Sequence, residues 1–327
     1  MADNPEGKDF YLKTAVDVAV DLRSWLAEWV LVDLVKAEDI TAASNDLLAF
    51  AKDFGAAEAA AEGEKEIEAI ASSATKKLCD LNKEGKANTV WGHDYASGLT
   101  HSLRRGARWV TSNPCKIQLF KKDFPDYYQE LIAEIKRENA GATPAVMAAQ
   151  MFARALYPIF KATNKQYGFV CVQVDPRDIK DADAMIKQVE FWYDAMKKEL
   201  GVEEPNVVFK LPAVEAALEA ARILLEKNYK LCMTMNITVP QHLRFAEILS
   251  KGKKNGYLVL MGDQLDDQIA KELEAKGVEN AKDIAKHGAE AVIRKSYRLL
   301  AEKGYKNLSI MTAAVCGPWH RLAAHLF

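Results

Sequence analysis

Apolar residues recur at helical spacing through the first quarter of the chain. Phe10–Lys36 is densely apolar, with Asp17, Asp21, Arg23, Glu28 and Asp33 interspersed at helical intervals. Ala42–Phe54 and Glu64–Leu81 continue the pattern around the Gly55 and Gly63 region, so the spacing predicts an all-helical segment over residues 1–86. The apolar face bearing Leu22, Trp25, Trp29, Val32 and Val35 requires a covering surface, supplied either by the rest of the chain or by a second copy. From Asn88 onward the pattern changes. Short apolar runs alternate with helical stretches, which is the signature of βαβ units and a parallel sheet over residues 87–327. Seven strands are predicted: Thr89–Gly92, Trp109–Ser112, Phe169–Gln173, Val207–Phe209, Leu231–Asn236, Tyr257–Met261 and Leu308–Thr312. The predicted helices between and after them are Asp126–Glu138, Pro144–Lys161, Ala182–Leu200, Val214–Lys227, Val239–Ser250, Gln264–Lys276 and Gly288–Lys303. Eight strands would close an α/β barrel of the (β/α)8 type; the eighth is not evident.

Polar residues stand at the exit of each predicted strand. Asp94 and Tyr95 follow the first, Ser112-Asn113-Pro114 the second, Gln173 and Asp175 the third and Lys210 the fourth. Thr234 and Asn236 close the fifth, Asp263 the sixth and Thr312 the seventh. In a parallel barrel such carboxyl ends converge on one pocket. Turn chemistry is the favoured account of Asp175-Pro176 and Gly262-Asp263, because these residue types favour strand-to-helix connections. Lys210 asks for more. It ends the apolar run Val207-Val208-Phe209 and precedes Leu211-Pro212, so a buried strand delivers an amine to its carboxyl end. Withdrawal from water favours the neutral form of an amine, the nucleophile that forms a Schiff base with a ketone or aldehyde. The competing reading is a lysine whose stem lies along the strand while its head reaches water.

Composition narrows the partners. The 44 basic and 46 acidic residues nearly balance, so nothing in bulk charge attracts nucleic acid or an anionic membrane. The greasiest stretch, Trp25–Val35, is broken by Glu28 and Asp33 and is too short to span a bilayer, and the N-terminus lacks a signal-peptide pattern. Five cysteines without a CxxC pair fit a reducing compartment, and the expectation is a cytoplasmic protein. No glycine-rich phosphate cradle and no HExxH are present, so neither a nucleotide cofactor nor a metal is expected.

The segments Val110-Thr111-Ser112-Asn113-Pro114, Val172-Gln173-Val174-Asp175-Pro176-Arg177 and Phe209-Lys210-Leu211-Pro212-Ala213 resemble, in order and spacing, three strand motifs of the transaldolase family of class I aldolases. Arg294-Lys295-Ser296-Tyr297 through Ile310-Met311 is similar to that family's penultimate helix and strand. The resemblance covers Asn88 to the C-terminus and implies a transaldolase-type barrel behind the helical N-terminal extension. It implies that Lys210 is the Schiff-base lysine, Asp94 the acid/base carboxylate, Asn113 a ligand of substrate hydroxyls and Thr234 part of the wall that positions a water. Ser112, Asn236, Asp263, Thr312 and Arg321 are further candidates for binding substrate. The implied reaction is transfer of a three-carbon dihydroxyacetone unit between sugars or sugar phosphates, without a cofactor, in the pentose phosphate pathway. The alternatives are an aldolase of the fructose-6-phosphate aldolase type and a catalytically impaired relative acting as a binding or structural protein, with the N-terminal helices forming a homo-oligomer interface.

Two departures stand out. Gln173 replaces the family's proton-shuttling glutamate, and the tyrosine of the fructose-6-phosphate aldolases has its counterpart at Ile237. The acidic run Asp263, Asp266, Asp267 lies where the family presents cations to phosphate, leaving His320 and Arg321 as the nearest basic residues to substitute.

Overall fold

The computed structural model describes residues 5–94, 98–113, 121–122, 125–138 and 144–314. The chain divides into two compact units after Val170. Tyr95, Pro114, His320 and Arg321 lie outside the described residues, and among the described residues no helix is long and apolar enough to cross a membrane.

The first unit opens with α1 (Pro5–Asp21), a π-helical turn (Leu22–Val30), α2 (Ala37–Asp53), α3 (Ala57–Ala71) and α4 (Ala74–Lys83). After α5 (Leu99–Arg104) come β1 (Trp109–Ser112), α6 (Pro125–Glu138) and α7 (Pro144–Ala162). Val16, Ala19, Leu48, Ala51 and Ala60 form the core of the helical layer. Gly63 allows α3 to lie directly on α1, since a Cβ there would sit 2.6 Å from Val16 Cγ1.

The predicted helix Phe10–Lys36 is interrupted. Ser24 leaves helical geometry (φ −119°, ψ −105°), its hydroxyl donating to the Val20 carbonyl at 2.7 Å in competition with the backbone ladder. Of the apolar face expected to be covered, Trp29 is buried, whereas Val32 and Val35 are exposed beyond the π-helical turn. Glu64–Leu81 likewise splits at Ser72-Ser73, because Ser73 caps α4 by accepting from the Lys76 N–H at 3.2 Å.

Two buried arginines tie these helices to the chain entering β1. Arg104 binds Asp21 at 2.6 Å, Asp17 at 3.3 Å and Glu66 at 3.4 Å, joining α5 to α1 and α3. Arg108, 2% exposed, lies against the rings of Trp29 and Tyr167 at 4.8 and 4.9 Å. Its guanidinium donates to Asn82 and to the Cys79 carbonyl, the latter at 3.0 Å. The predicted strand Thr89–Gly92 is reduced to one parallel bridge, His93 with Val110. Pairing begins only at Trp91, whose carbonyl accepts from the Arg108 N–H at 3.1 Å; His93 then donates to Trp109 O at 2.7 Å. Gly92 permits that approach, since a Cβ would lie 2.9 Å from Trp109 O.

β2 (Phe169–Gln173) carries the division between units. The second unit continues with a 3-10 turn (Pro176–Asp178), α8 (Ala182–Leu200), β3 (Val207–Pro212), α9 (Glu215–Glu226), β4 (Leu231–Asn236) and α10 (Val239–Leu249). Then follow β5 (Gly256–Met261), α11 (Gly262–Ala275), α12 (Ala281–Ala285), α13 (Gly288–Glu302) and β6 (Leu308–Ala313). β3 pairs with β4, β4 with β5 and β5 with β6, all parallel, which gives the α/β class expected. Helix starts follow the capping signals: Asp181 accepts from the Ala184 N–H at 2.9 Å, and Thr238 and Gln241 form a capping box with Pro240 in the first turn.

His242 on α10 is wholly buried, its Nδ1 2.8 Å from Ser296 Oγ of α13 and its Nε2 without a partner among the described residues. Burial pushes its pKa down from 6.5 to about 4. The folded state therefore resists a proton that the unfolded chain accepts, so stability is complete above pH 6.5 and is lost as pH falls toward 4. Unfolding in urea at pH 7 and pH 5 should show about 2 kcal/mol of lost stability from this group alone, a loss that His242→Phe should remove. Equal pH slopes in both proteins would exclude it.

Arg108→Ala should destabilise the fold by about 3 kcal/mol or more, because it removes a filled volume and a desolvated cation–aromatic stack together. Denaturant unfolding of the variant measures this, and a loss below about 1 kcal/mol would show that the stack contributes little.

Candidate active site

Lys210 lies in the second half of β3 and is 8% exposed. Parallel pairing puts Lys210 level with Cys232 and Pro212 level with Thr234, so Lys210 and Thr234 occupy one face of the sheet, one pleat apart. The Val174 N–H donates to Lys210 O at 3.2 Å, which places Gln173 at the level of Lys210 on the neighbouring strand. Thr234 is buried and its carbonyl accepts from the Ala213 N–H at 2.7 Å, tying β4 to the turn that follows Lys210. Three of the predicted residues, Gln173, Lys210 and Thr234, are thus aligned by backbone hydrogen bonding.

Asn236 and Thr312 are turned to the other face. A bulge between Met233 and Asn236 inserts one residue into β4, with Met235 taking a left-handed φ of 63°. Asn236 is then in register with Leu260, whose side chain packs with Ala289 and Ile293 under the helices, and Thr312 shares that register. Asn236 is 0% exposed and donates to the Met233 carbonyl at 2.7 Å. Its amide holds the bulge rather than opening to solvent. Simple alternation along the strand would have kept Asn236 with Thr234; the extra residue reverses it.

The acidic residues after β5 divide. Asp263 accepts from the Gln264 N–H at 2.7 Å in the first turn of α11, while its own N–H donates to Ala314 O at 3.2 Å. Asp266 accepts from the Ala289 N–H at 3.1 Å and so caps the start of α13, and Asp267 is exposed. Asp175 serves its turn: hydrogen bonds from Arg177 hold its carboxyl down at about pKa 2.

In the first unit, Asp94 and Asn113 come together. The Asn113 amide donates to Asp94 Oδ1 at 3.0 Å, and the Thr111 hydroxyl donates to the same oxygen. Thr111 is absent from the sequence-derived candidates. The signal for it was available, since Thr111 and Asn113 lie two residues apart and reach the same carboxylate oxygen from the end of β1, whereas Ser112, buried, alternates with them. These two donors on one carboxylate oxygen fix its orientation.

The amino-acid sequence as a whole has counterparts among known proteins. The family model for transaldolase/fructose-6-phosphate aldolase matches residues 99–321, more than half of the chain. This chain belongs to the transaldolase/fructose-6-phosphate aldolase family. Among curated relatives it is 25% identical to a transaldolase of Neisseria gonorrhoeae over 161 residues, covering 47% of this chain and 43% of that one. It is 24% identical to a transaldolase of Campylobacter jejuni over 167 residues (50% and 48% covered) and 29% identical to one of Mycobacterium leprae over 141 (41% and 35%). The chain thus spans less than half the length of these relatives. With identities of a quarter or so to these transaldolases, the chain is a divergent member of the transaldolase/fructose-6-phosphate aldolase family.

Proposed function

We propose that this protein is a Schiff-base enzyme of transaldolase type, built as a (β/α)8 barrel over residues 87–327 behind a helical extension over residues 1–86. The observation that carries the reading is the buried Lys210 in the second half of β3, which runs on through Pro212 beyond the predicted Val207–Phe209, with Gln173 and Thr234 on the same face. Lys210 attacks the ketose carbonyl and water leaves, giving an imine. Asp94 takes the proton of the neighbouring hydroxyl as the C–C bond breaks, and the electron pair passes into the enamine. Asn113 orients the three-carbon fragment, and an acceptor aldehyde recaptures it. Thr111 enters as a positioning residue for Asp94.

Gln173 favours a second reading, a relative with impaired turnover that is retained for binding. An amide accepts and donates hydrogen bonds but does not titrate, and losing a positioned acid/base removes roughly 10² to 10⁴ of rate. The substrate is read as a sugar with a weakly held phosphate or none, because Asp263 stands where a cation would be needed and would repel a dianion. The helical extension, with Phe10 and Tyr11 exposed on α1, is read as a homo-oligomer interface, and the cysteine pattern supports a cytoplasmic setting.

Borohydride reduction in the presence of candidate ketoses, followed by intact mass, tests the enzyme reading. The wild type should gain a reduced three-carbon unit and Lys210→Met none; an adduct that survives in the mutant would move the nucleophile elsewhere.

Gln173→Glu restores a titratable group level with Lys210. Imine formation or turnover at neutral pH should rise by about tenfold or more, measured by single-turnover trapping. A folded variant with unchanged or lower rate would show that residue 173 does not serve the catalytic water.

A further inference from the structure

Charge is segregated along this chain although its total nearly cancels. In the first unit, α1 and α3 border a groove of about 480 Å3 whose apolar floor includes Leu12, Val16, Val20 and Ala59. Its walls are acidic. Glu58, Glu62 and Glu66 recur every four residues on α3, about 6 Å apart along the helix, and Asp9 and Asp17 line the α1 side, with Lys13 the one basic residue of the lining. Arg104 holds Asp17 at 3.3 Å and Glu66 at 3.4 Å, whereas Asp9, Glu58 and Glu62 are exposed and pair with no cation among the described residues.

The second unit carries the opposite charge at the amino ends of β5 and β6. The turns that enter these strands read Lys251-Gly252-Lys253-Lys254-Asn255 and Lys303-Gly304-Tyr305-Lys306-Asn307, five lysines without a carboxylate. Hydrogen bonds set the two turns side by side. The Gly256 N–H donates to Asn307 O at 2.9 Å, and the Asn307 amide donates to the Ser250 and Gly252 carbonyls at 3.3 and 2.8 Å. Lys254 is engaged by Glu204 at 2.8 Å, while Lys251, Lys253, Lys303 and Lys306 are exposed and pair with no carboxylate among the described residues. The Schiff-base mechanism uses neither surface.

We propose that the groove between α1 and α3 of one copy receives the lysine turns of a second copy, head to tail. The proposal rests on the reading of the helical extension as an interface between copies and names the surface that meets it. A lysine suits the groove in both its parts, because the methylene stem lies along an apolar floor while the ammonium meets a carboxylate on the wall. Charge supplies the attraction. Leu12, Val16 and Val20 are already buried within the helical layer, so little apolar area is left for a partner to cover. A second copy is the occupant because every chain that carries the groove also carries its complement. The two surfaces differ, so the contact is heterologous and either closes into a ring or continues from copy to copy.

Sedimentation velocity of the full chain over a range of concentrations tests this at about 0.1 M and about 1 M sodium chloride, between which the Debye length falls from about 10 Å to about 3 Å. The wild type should associate at the lower salt, with an association constant about tenfold or more weaker at the higher. An apolar contact through Phe10 and Tyr11 would not weaken in this way. Glu58→Lys with Glu62→Lys, and separately Lys251→Glu with Lys253→Glu, should each abolish self-association. An equimolar mixture of these two proteins should pair one to one, because the unaltered lysines of the first meet the unaltered groove of the second. The milder Glu58→Gln with Glu62→Gln should weaken association as well, and a folded variant of this kind that associates like the wild type would overturn the proposal even where the charge reversals fail to fold. Association that persists in both charge-reversed proteins would place the interface elsewhere, so that the oligomer reading stands and this proposal falls. A wild type that is monomeric at both salts would remove both, and a mixture that stays monomeric while the wild type associates would overturn the head-to-tail pairing.

Discussion

The register of the parallel strands is the constraint on which the second unit depends. Side chains alternate between faces with a period of two, so a slip of one residue between β3 and β4 would turn Lys210 into the helix layer and bring Phe209 and Leu211 out in its place. The apolar residues on the helix side resist this. Phe209 packs edge-on against Tyr229 at 5.8 Å, while Leu258 and Leu260 are sealed beneath the helices. Burial of the strands' apolar residues therefore fixes the position of one amine, and Gln173 and Thr234 follow from the same hydrogen-bond ladder.

The first unit solves a different problem, joining helices to the entry of β1, and it does so with buried cations. Arg104 meets three carboxylates and Arg108 meets aromatic rings and neutral acceptors. The two arrangements differ physically. Carboxylates offset the desolvation of Arg104 by direct charge pairing, whereas Arg108 relies on ring faces and polar dipoles, so removing Trp29 or Tyr167 would expose the cost of burying that cation. Because Arg108 directly precedes Trp109, its placement also sets where pairing with Trp91–His93 begins and hence where Asp94 stands relative to Thr111 and Asn113.

Several polar groups are spent on architecture rather than chemistry. Asn236 closes the β4 bulge, Asp266 caps α13, and the His242–Ser296 pair joins α10 to α13 at a cost paid in acid stability. Met235 is held left-handed beside the bulge, a conformation costing roughly 1 to 2 kcal/mol for a residue with a side chain. Strain of this kind persists only where the surrounding packing overdetermines the backbone, which here means the flanking β3 and β5 ladders.

The amino-acid sequence by itself determined the α/β alternation after Asn88, the bounds of strands such as Trp109–Ser112 and Phe169–Gln173, and Lys210 as the residue to explain. These are local consequences of apolar periodicity, capping and turn residues, and the motif spacing around Lys210 was enough to indicate the family that the comparison with known proteins then established. Tertiary structure decided the rest. A bulge adds one residue without a clear mark in a sequence, so only the pairing with β5 shows that Asn236 faces the helices. The breaks at Ser24 and Ser73 reflect side-chain hydroxyls competing with the helical ladder, a choice that helical periodicity does not record. The grouping of Thr111, Asn113 and Asp94 required the chain to return from Asp94 to β1. Such non-local hydrogen bonds exist only once the strands are side by side.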